Sequence, residues 1–435
     1  MNPYWDAFEA LPREEIERYQ ARQLKWIVEY AYRNSRFFHD LYKAHGIHPS
    51  NITSLADVEK LPLISKEDIR KDVEAHPPLG VMTAVPPEEV VYVASSSGST
   101  GIPTPSPFTR EDFEEWIDVE SRLFWSSGLR PSDVYVHGLN FALFVGGPCV
   151  LGAQRLGATS IWVGAVDSSR FLFTLQFFKA TATWITPSYA LYLSEVAEER
   201  GFPLDELNVK KIFLAGEPGA SIPSVRRLIE SRWNAEVYDY YGLSDIFGAL
   251  AAECTERCGL HVAEDHVLVE VVDPHTGESV APGEEGELVL TTLRKRARPL
   301  IRFRTGDITR YEVERCSCGR TLIRLLGISG RIDEAVKIKG VLVYPSSFES
   351  IVRDSLGYCE FRVIVQRVGF KDSVTLEVEC PHGTDAEHAK RSLENLIRAR
   401  LGISVNVKVV PRGTLPRTVH KAKRFIDLRK KVEAS

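Results

Sequence analysis

The chain has 435 residues, of which 44% are hydrophobic and 26% charged, a composition typical of a globular protein with two or three domains. Acidic residues (59) outnumber Lys and Arg (54), and the net charge of −5 disfavours a nucleic-acid-binding protein. The apolar stretch 139–166 is broken by Asn140, Gln154 and Arg155, and the N-terminus lacks the pattern of a signal peptide, so we expect a cytoplasmic protein without a membrane span.

Helical periodicity dominates roughly the first 85 residues. Apolar residues recur at helical spacing between Ile16 and Ala31, and 54–57 and 65–68 have the pattern of capping boxes with Asp in place of Glu. From Val90 onward, short β-like runs alternate with helical stretches, which predicts an α/β body on a mainly parallel sheet covered by helices. The β-like runs are residues 134–136, 159–163, 182–185, 211–214 and 235–240.

The pattern changes after Cys258, where strands follow one another without intervening helices. The runs 267–272 and 287–293 flank a turn-like segment at 273–277. Consecutive strands of this kind predict a small antiparallel β subdomain attached to the parallel-sheet layers of the body.

The C-terminal part has its own α+β pattern, with strand-like runs at 361–366 and 374–379 and an amphipathic stretch at 389–401. We place a boundary at 329–333. We therefore expect a large N-terminal body of residues 1–329, whose first part (about 1–85) is helical, and a small mobile C-terminal domain of residues 330–435.

A loop rich in Ser, Thr and Gly follows the run at Val90, with the sequence YVASSSGSTGIPT at residues 92–104. Two glycines allow the backbone to approach a ligand closely, and the hydroxyl groups donate hydrogen bonds to oxygens that only accept, as those of a triphosphate do. No Lys follows the second Gly, so the loop is not that of the P-loop NTPases. The alternative is a flexible surface loop.

Further motifs follow this loop along the chain: AGEP at 215–218, YGLSD at 241–245, RTGD at 304–307, GRID at 330–333 and LPRTVHK at 415–421. In this order and spacing, from about Tyr92 to Asp427, the chain resembles the adenylate-forming superfamily of acyl-CoA synthetases, peptide-synthetase adenylation domains and luciferases. It is most similar to the phenylacetate-CoA ligase family. The resemblance implies an AMP-forming ligase that activates an aromatic acid, an arylacetate or arylcarboxylate, with ATP and transfers it to coenzyme A.

The resemblance also implies a nucleotide site. The β- and γ-phosphates are expected on Ser96, Ser97, Gly98, Ser99, Thr100 and Gly101. The adenosine part is expected beside Gly216, Glu217, Pro218, Asp239, Tyr240, Tyr241 and Gly242. Ser244 is expected near the α-phosphate, and Asp245 is expected to hold Mg²⁺. Among these motifs two positions depart from the family: Asp245 stands where Glu is usual, and Ile102, just after the phosphate loop, stands where Lys is common.

Further along the chain, the resemblance implies that Asp307 accepts both ribose hydroxyls, that Arg331 reaches the ribose or a phosphate, and that Asp333 is the hinge of the mobile domain. Lys421 is expected to reach the acyl carboxylate and the α-phosphate, where a cation neutralises charge that develops in the transition state. Lys423 is the rival for this role, because His420 stands where the family has Gly before the lysine.

Two more features of the site follow from the resemblance. After adenylation the C-terminal domain is expected to rotate and bring Gly340 to the path of the phosphopantetheine arm of CoA. The aromatic side chains of Tyr135, Phe141 and Phe144 are expected to border the acyl pocket. For each aromatic residue taken alone, a place in the hydrophobic core is the alternative.

Cysteines cluster in two segments, ECTERCGLH at 253–261 and RCSCG at 315–319. Clustered thiols in a reducing compartment favour a metal over disulfides, and the set fits a tetrahedral structural Zn²⁺ site. The alternative is reduced cysteines without a metal. The candidate ligands are Cys254, Cys258, His261, Cys316 and Cys318, and the resemblance favours four of them with Cys258 as the substitute.

The sequence leaves three functional alternatives open, of which the acid–CoA ligase is the first. An adenylating enzyme could instead pass the acyl group to an amine or to the thiol of a carrier protein, because the adenylation residues are shared among these enzymes. A non-catalytic nucleotide-binding member of the fold is the third possibility, suggested by Ile102 and Asp245. The resemblance also leads us to expect a homodimer.

Overall fold

The protein is described by a computed structural model, which covers residues 2–95, 104–141, 146–164, 166–338, 341–368, 371–381, 383–417 and 424–429. The N-terminal segment is helical, as predicted, with α1 (Arg13–Asn34), α2 (Arg36–Ala44) and α3 (Lys66–Ala75). Both expected capping boxes are present, one at the 3₁₀ helix Leu55–Lys60 and one at the start of α3. In each box the Asp carboxylate accepts the backbone N–H that precedes the helix, which satisfies an otherwise free donor.

The body continues with alternating strands and helices. Its strands are β1 (Tyr92–Ser95), β2 (Pro105–Phe108), β3 (Val134–His137), β4 (Thr159–Trp162), β5 (Ala182–Ile185), β6 (Lys211–Leu214), β7 (Glu236–Leu243), β8 (Phe247–Glu253), β9 (Leu260–Val262), β10 (Val267–Val272), β11 (Gly286–Thr292), β12 (Phe303–Glu312) and β13 (Arg324–Arg331). Its remaining helices are α4 (Arg110–Ser126), α5 (Val150–Leu156), α6 (Ser168–Phe177), α7 (Pro187–Glu199) and α8 (Pro223–Trp233). None of the described helices has both the length and the apolar character that crossing a membrane requires.

One 11-stranded sheet runs through the body in the order β10-β11-β12-β13-β9-β8-β7-β6-β5-β3-β4. Strands β4, β3, β5, β6 and β7 pair in parallel, and the pairs from β7 to β10 are antiparallel. The predicted parallel sheet and antiparallel subdomain are thus two halves of one continuous sheet. They join because the short turn after Leu243 sends β8 back along the free edge of β7.

Helices cover the parallel half on both faces. On one face, α4 and α5 pack on a core that includes Phe124, Trp184 and Phe213. On the other face, α6, α7 and α8 enclose a second core that includes Phe171 and Trp233. Because helices cover both faces, the parallel strands are largely buried, as expected for strands of this kind.

The C-terminal elements have a separate hydrophobic core, formed by residues between Val336 and Phe425. They are β14 (Val336–Ile338), β15 (Val341–Val343), α9 (Pro345–Leu356), β16 (Phe361–Val368), β17 (Lys371–Glu379), α10 (Ala386–Leu401), β18 (Asn406–Val410) and β19 (Phe425–Asp427). Four strands form a sheet in the order β18-β17-β16-β19, which gives the α+β pattern predicted for this part.

Candidate active site

The predicted nucleotide motifs meet where the parallel strands end. The segment that begins at Gly216 follows β6, and β7 contains Tyr241 and Gly242. The carboxyl ends of parallel strands lie at one edge of a sheet, which is where α/β proteins bind ligands. Gly216 has a φ of +93°, a conformation that side chains with a Cβ rarely adopt. A Cβ at Gly242 would lie 1.5 Å from the carbonyl oxygen of Gly248, so only glycine fits there.

Three predicted residues form one hydrogen-bonded group at this edge. The Tyr241 hydroxyl donates to Oδ2 of Asp307 at 2.6 Å, and Nη1 of Arg331 donates to Oδ1 of Asp307 at 2.9 Å. The pairing of β12 with β13 sets Asp307 opposite Arg331. Arg331 also donates through Nε to Oδ1 of Asp333 at 2.9 Å. Burial, and then the neighbouring Asp307, raise the pKa of Tyr241, so its hydroxyl remains a donor.

Asp245 is held in a buried basic environment next to this group. Its Oδ2 accepts from Nζ of Lys66 at 3.1 Å, and its backbone oxygen accepts from Nζ of Lys295 at 3.1 Å and from Oγ of Ser106 at 3.2 Å. Its Oδ1 is buried and has no hydrogen-bond partner among the residues that the structure describes. Burial, and then the nearby Arg298, lower the pKa of Lys295 to about 7. Sequence reasoning missed the role of these basic residues because none of them belongs to a nucleotide-binding motif.

Other predicted nucleotide-site residues are placed around this group. Ser244 is half-buried in the turn between β7 and Asp245. The carboxylate of Glu217 accepts from the backbone N–H of Ser188 at 2.7 Å, at the start of α7, and Pro218 follows it in the same loop. Asp239 is buried on β7, and burial, followed by Glu253, raises its pKa to about 8.

The side chain of Tyr240 faces the core under α4 instead. Its hydroxyl donates to Oγ of Ser127 at 2.9 Å and to the backbone oxygen of Leu123 at 3.2 Å. Successive residues of a strand point to opposite faces, so Tyr240 and Tyr241 cannot both face the same ligand.

The predicted acyl pocket begins at the end of β3. Tyr135 is fully buried, and its hydroxyl lies 2.6 Å from Nδ1 of His137. The ring of His137 lies 5.5 Å from that of Phe141, which stacks on Trp162 at 5.9 Å and is 38% exposed. Burial lowers the pKa of His137 to about 3, so the imidazole is neutral. These rings form an aromatic wall that is partly open to solvent.

A buried carboxylate, Glu120, lies near this wall and was not anticipated from the sequence. Its Oε1 accepts from Nε1 of Trp116 at 2.9 Å, from the thiol of Cys149 at 2.9 Å and from the backbone N–H of Ala249 at 2.6 Å. Burial raises the pKa of Glu120 to about 7. A Cβ at Gly248 would lie 2.6 Å from Oε1, so this glycine makes room for the carboxylate.

The clustered cysteines converge at one end of the antiparallel half. The ligand atoms of Cys254, His261, Cys316 and Cys318 all lie within 4.8 Å of one another. Cys254 follows β8, His261 lies on β9, and the pairing of β9 with β13 brings the segment that carries the other two thiols alongside. Cys258 lies outside this group of four, although its Sγ is 3.3 Å from that of Cys316.

Several predicted site residues lie outside the described residues, and their assignments stay predictions. They are Ser96, Ser97, Gly98, Ser99, Thr100 and Gly101 of the phosphate loop, Phe144 of the acyl pocket, Gly340, and the two candidate lysines, Lys421 and Lys423. The strands that flank the phosphate loop are described, and β1 and β2 pair in antiparallel fashion from Tyr92 opposite Phe108 to Ser95 opposite Pro105.

Comparison with known proteins agrees with this geometry. The sequence pattern of the family described as "AMP-binding enzyme" matches residues 18–292, and that of the "AMP-binding enzyme C-terminal domain" matches residues 340–429. The chain belongs to the AMP-binding enzyme family. This AMP-binding enzyme is 35% identical to the phenylacetate-coenzyme A ligase of Thermus thermophilus, over 98% of the chain and 100% of that protein. It is 34% identical to the phenylacetate-coenzyme A ligase of Escherichia coli K12, over 100% of the chain and 99% of that protein.

The fold of this chain was compared with solved structures of one ligase in two different states. With 2-hydroxyisobutyryl-CoA ligase in its postadenylation state, in complex with 2-HIB-AMP, the TM-score is 0.94 at 31% identity, covering 100% of this chain and 94% of that one. With the same ligase in the thioesterification state the TM-score is 0.75, covering 100% and 96%. The N- and C-terminal parts of this AMP-binding enzyme are therefore arranged as in the postadenylation state of that ligase.

Proposed function

We propose that this AMP-forming acid–CoA ligase takes an aromatic carboxylic acid, which it converts to an acyl-adenylate before transfer to CoA. Ligation to CoA rests on the similarity to acid–CoA ligases along the whole chain. The observation that carries the proposal is the Tyr241–Asp307–Arg331 group beside Asp245, with the aromatic wall of His137 and Phe141 on the same edge of the sheet.

In the first half-reaction, a carboxylate oxygen of the acid attacks the α-phosphorus of ATP, and the bond to the bridging oxygen breaks as pyrophosphate leaves. We propose that Tyr241 lies against the adenine and that Asp307 accepts the ribose hydroxyls with its remaining lone pairs while Arg331 orients it. Asp245 would hold the Mg²⁺, which neutralises phosphate charge when bound. A lysine of the mobile C-terminal domain, Lys421 or its rival Lys423, supplies the cation at the attacked phosphorus.

In the second half-reaction, the sulfur of CoA attacks the acyl carbonyl carbon and AMP leaves. We propose that residues 330–435 rotate about Asp333 between the two steps, so that Gly340 borders the CoA path. The separate hydrophobic core between Val336 and Phe425 supports a unit that moves as one body. The present arrangement corresponds to the stage before this rotation.

The choice of an aromatic acid rests on the wall at the end of β3. Phe141 and Trp162 are partly exposed and stack on each other, and aromatic side chains favour an aromatic partner by offset or edge contacts. His137 is neutral, so it offers a polar ring nitrogen without a charge. Phe144 completes this wall in our proposal.

We also propose that Cys254, His261, Cys316 and Cys318 hold a structural Zn²⁺. Zn–S bonds of about 2.3 Å in a tetrahedron place two sulfurs about 3.8 Å apart, and a sulfur and an imidazole nitrogen about 3.6 Å apart. The corresponding distances are 3.8 Å from Cys254 to Cys316 and 3.6 Å from Cys318 to Nε2 of His261. Cys258, at 3.3 Å from Cys316, is too close to share such a tetrahedron with it.

The proposed function is tested by pyrophosphate release with ATP and Mg²⁺ across a panel of aryl and alkyl acids, with and without CoA. We expect release that depends on an aryl acid and accelerates with CoA, and the Asp307→Asn variant should lose most of it. Release from alkyl acids alone would contradict the aromatic preference, and release indifferent to CoA would favour an amine or carrier-protein acceptor. No release with any acid would favour the non-catalytic alternative.

The expected homodimer is checked by the molar mass in solution.

A further inference from the structure

A short basic segment, RKRAR at 294–298, follows β11 and reaches into the space behind Asp245. Nζ of Lys295 donates to the backbone oxygens of Asp245 at 3.1 Å and Ile246 at 2.8 Å, and to Oγ of Ser106 at 2.9 Å. The backbone oxygen of Ala297 accepts from the N–H of Ala84 at 2.8 Å, which fixes the segment from the other side. These contacts hold Arg298, which directly follows Ala297, in a defined position beside the turn that carries Asp245.

Arg298 is fully buried, and Nε, Nη1 and Nη2 of its guanidinium have no hydrogen-bond partner among the described residues. A guanidinium carries five N–H donors, and a buried charge without hydrogen bonds is strongly disfavoured. The other buried cation of the segment, Lys295, has all its donors engaged. A buried guanidinium that the described residues leave without hydrogen bonds indicates an anionic ligand.

The nearby acids do not supply this anion. Asp245 and Asp72 are the carboxylates whose charges act on Arg298. The two oxygens of Asp72 accept from the backbone N–H groups of Val81 at 2.9 Å and Met82 at 2.8 Å. Oδ2 of Asp245 accepts from Nζ of Lys66, and Oδ1 of Asp245 is buried and without a partner in the described part of the chain.

Two groups of opposite charge that have no hydrogen-bond partner among the described residues therefore lie within electrostatic range of each other, the Arg298 guanidinium and Oδ1 of Asp245. A metal–phosphate complex satisfies both, because the carboxylate oxygen binds the divalent cation and the guanidinium binds phosphate oxygens in its planar fork. Lys66, whose side chain is 36% exposed, lies where this cluster meets solvent and adds a second cation on that side.

We propose that Arg298 binds the β- and γ-phosphates of ATP opposite the Mg²⁺ held by Asp245, and that it retains the pyrophosphate as it leaves. This inference rests on the proposed function. When the acid oxygen bonds to the α-phosphorus, the bond from the α-phosphorus to the α–β bridging oxygen breaks, and its electron pair passes to the pyrophosphate. The positive charge of Arg298 stabilises the negative charge that develops there.

The test uses the full-length protein and the variant Arg298→Met, which keeps a long side chain and removes the charge. Arg294→Met is the matched control, because Arg294 lies in the same segment but is 36% exposed and pairs with Glu115. The first readout needs no acid substrate: calorimetric titration with inorganic pyrophosphate and Mg²⁺. We expect Arg298→Met to weaken this binding by about tenfold or more, since a charged hydrogen-bond donor is lost, and Arg294→Met to leave it unchanged.

The second readout is the melting temperature without ligand. Removing a buried charge that has no partner among the described residues should leave the melting temperature of Arg298→Met equal to or above that of the unmodified protein. Pyrophosphate with Mg²⁺ should then raise the melting temperature of the unmodified protein but not of the variant. A lower melting temperature together with unchanged pyrophosphate affinity would assign Arg298 a structural role and overturn the proposal.

The two half-reactions separate this inference from the proposed function. Thioester formation from a preformed acyl-adenylate and CoA involves no pyrophosphate, so Arg298→Met should retain its rate while ATP–pyrophosphate exchange falls. Equal loss of both half-reactions in the variant would overturn the role of Arg298. Failure of the unmodified protein in both half-reactions would contradict the ligase function, and pyrophosphate binding would still report on Arg298. If Arg298→Met fails to fold, Arg298→Lys must show weakened pyrophosphate binding for the proposal to stand.

Discussion

Arg417 and Glu195 form a bidentate ion pair between the C-terminal part of the chain and helix α7 of the body. Nη2 of Arg417 lies 2.8 Å from Oε1 of Glu195, and Nε lies 2.9 Å from Oε2. The Glu195 side chain is 6% exposed and also accepts from the hydroxyl of Tyr358 at 3.2 Å. Screening by solvent is therefore weak, and this contact stabilises the present arrangement of the two parts.

The substitution Glu195→Ala removes these contacts without changing a residue of the C-terminal part. Because hydrogen bonds to a charged group contribute about 1.5–3 kcal/mol each, we expect the acid-dependent ATP–pyrophosphate exchange to fall by roughly tenfold. The thioester half-reaction should be kept or should accelerate, since it needs the other arrangement. Rates of the two half-reactions, measured separately, check this.

Glu198→Ala is the matched control for the contact at Glu195. Glu198 lies on the same helix, is 56% exposed and reaches Arg412 only at 4.0 Å. Its substitution should leave both half-reactions within about twofold, as expected for an exposed ion pair. Equal slowing of both half-reactions in Glu195→Ala would contradict a role in selecting the arrangement.

The metal site predicts a stoichiometry. Protein purified without added metal should contain about one equivalent of zinc per chain, and the double variant Cys316→Ser/Cys318→Ser should lose it, because two of the four ligands are removed. Loss of the metal should also lower the melting temperature. Elemental analysis and thermal unfolding measure the two effects.

Cys258→Ser distinguishes a specific ligand set from clustered thiols in general. Cys258 lies outside the group of four, so this variant should keep its full zinc content. Metal well below one equivalent, or metal that survives the double substitution, would favour reduced cysteines without a metal.

Site residues could be predicted from the sequence when a local motif coincides with the end of a strand. Contacts that depend on packing between distant segments could not be predicted in this way. Tyr241 and Asp307 were identified from motifs, but their 2.6 Å contact depends on the antiparallel pairings that carry β12 back beside β7. Likewise, the continuity of the parallel and antiparallel halves depends on the tight turn after Leu243, which periodicity does not reveal.

The residues that the sequence did not single out are charged and buried. Arg298 stands in a basic run and Glu120 in an amphipathic helix, patterns that normally indicate solvated faces. Glu120 is buried because α4 is covered by α5 and by β8. Arg298 is buried because residues 294–298 fold behind Asp245. Tyr240 shows the converse, since a motif included it but strand alternation turns its side chain into the core.

From the proposed contact of the Asp307 carboxylate with the ribose, we expect substitutions at Asp307 to change the KM for ATP. Asp307→Asn should raise the KM for ATP by about tenfold or more, because a charged acceptor is lost, and Tyr241→Phe should raise it less, because only the donor to Asp307 is removed. Steady-state kinetics at saturating acid measure the KM. Tyr311→Phe is the control: Tyr311 lies on the same strand, but its hydroxyl donates to the backbone of Val280 at 3.2 Å, away from the site. An unchanged KM in Asp307→Asn would contradict its ribose role.

Glu120 predicts a dependence of stability on pH. Its pKa rises from the ordinary 4.5 to about 7 in the folded protein, first through burial. Between these two values the unfolded chain releases the proton and the folded protein keeps it, so stability falls as the pH rises from about 4.5 to about 7 and changes no further above that. A shift of this size corresponds to roughly 3 kcal/mol.

Glu120→Gln cannot ionise, and its amide oxygen can still accept from Trp116, Cys149 and Ala249. We therefore expect the variant to gain stability relative to the unmodified protein as the pH rises through this window, with the difference constant above about pH 7. Melting temperatures of both proteins at a series of pH values measure it. Glu114→Gln, which alters a side chain that is 58% exposed, should show no such trend. A constant difference between Glu120→Gln and the unmodified protein across the window would mean that Glu120 ionises in the folded protein as it does in the unfolded chain.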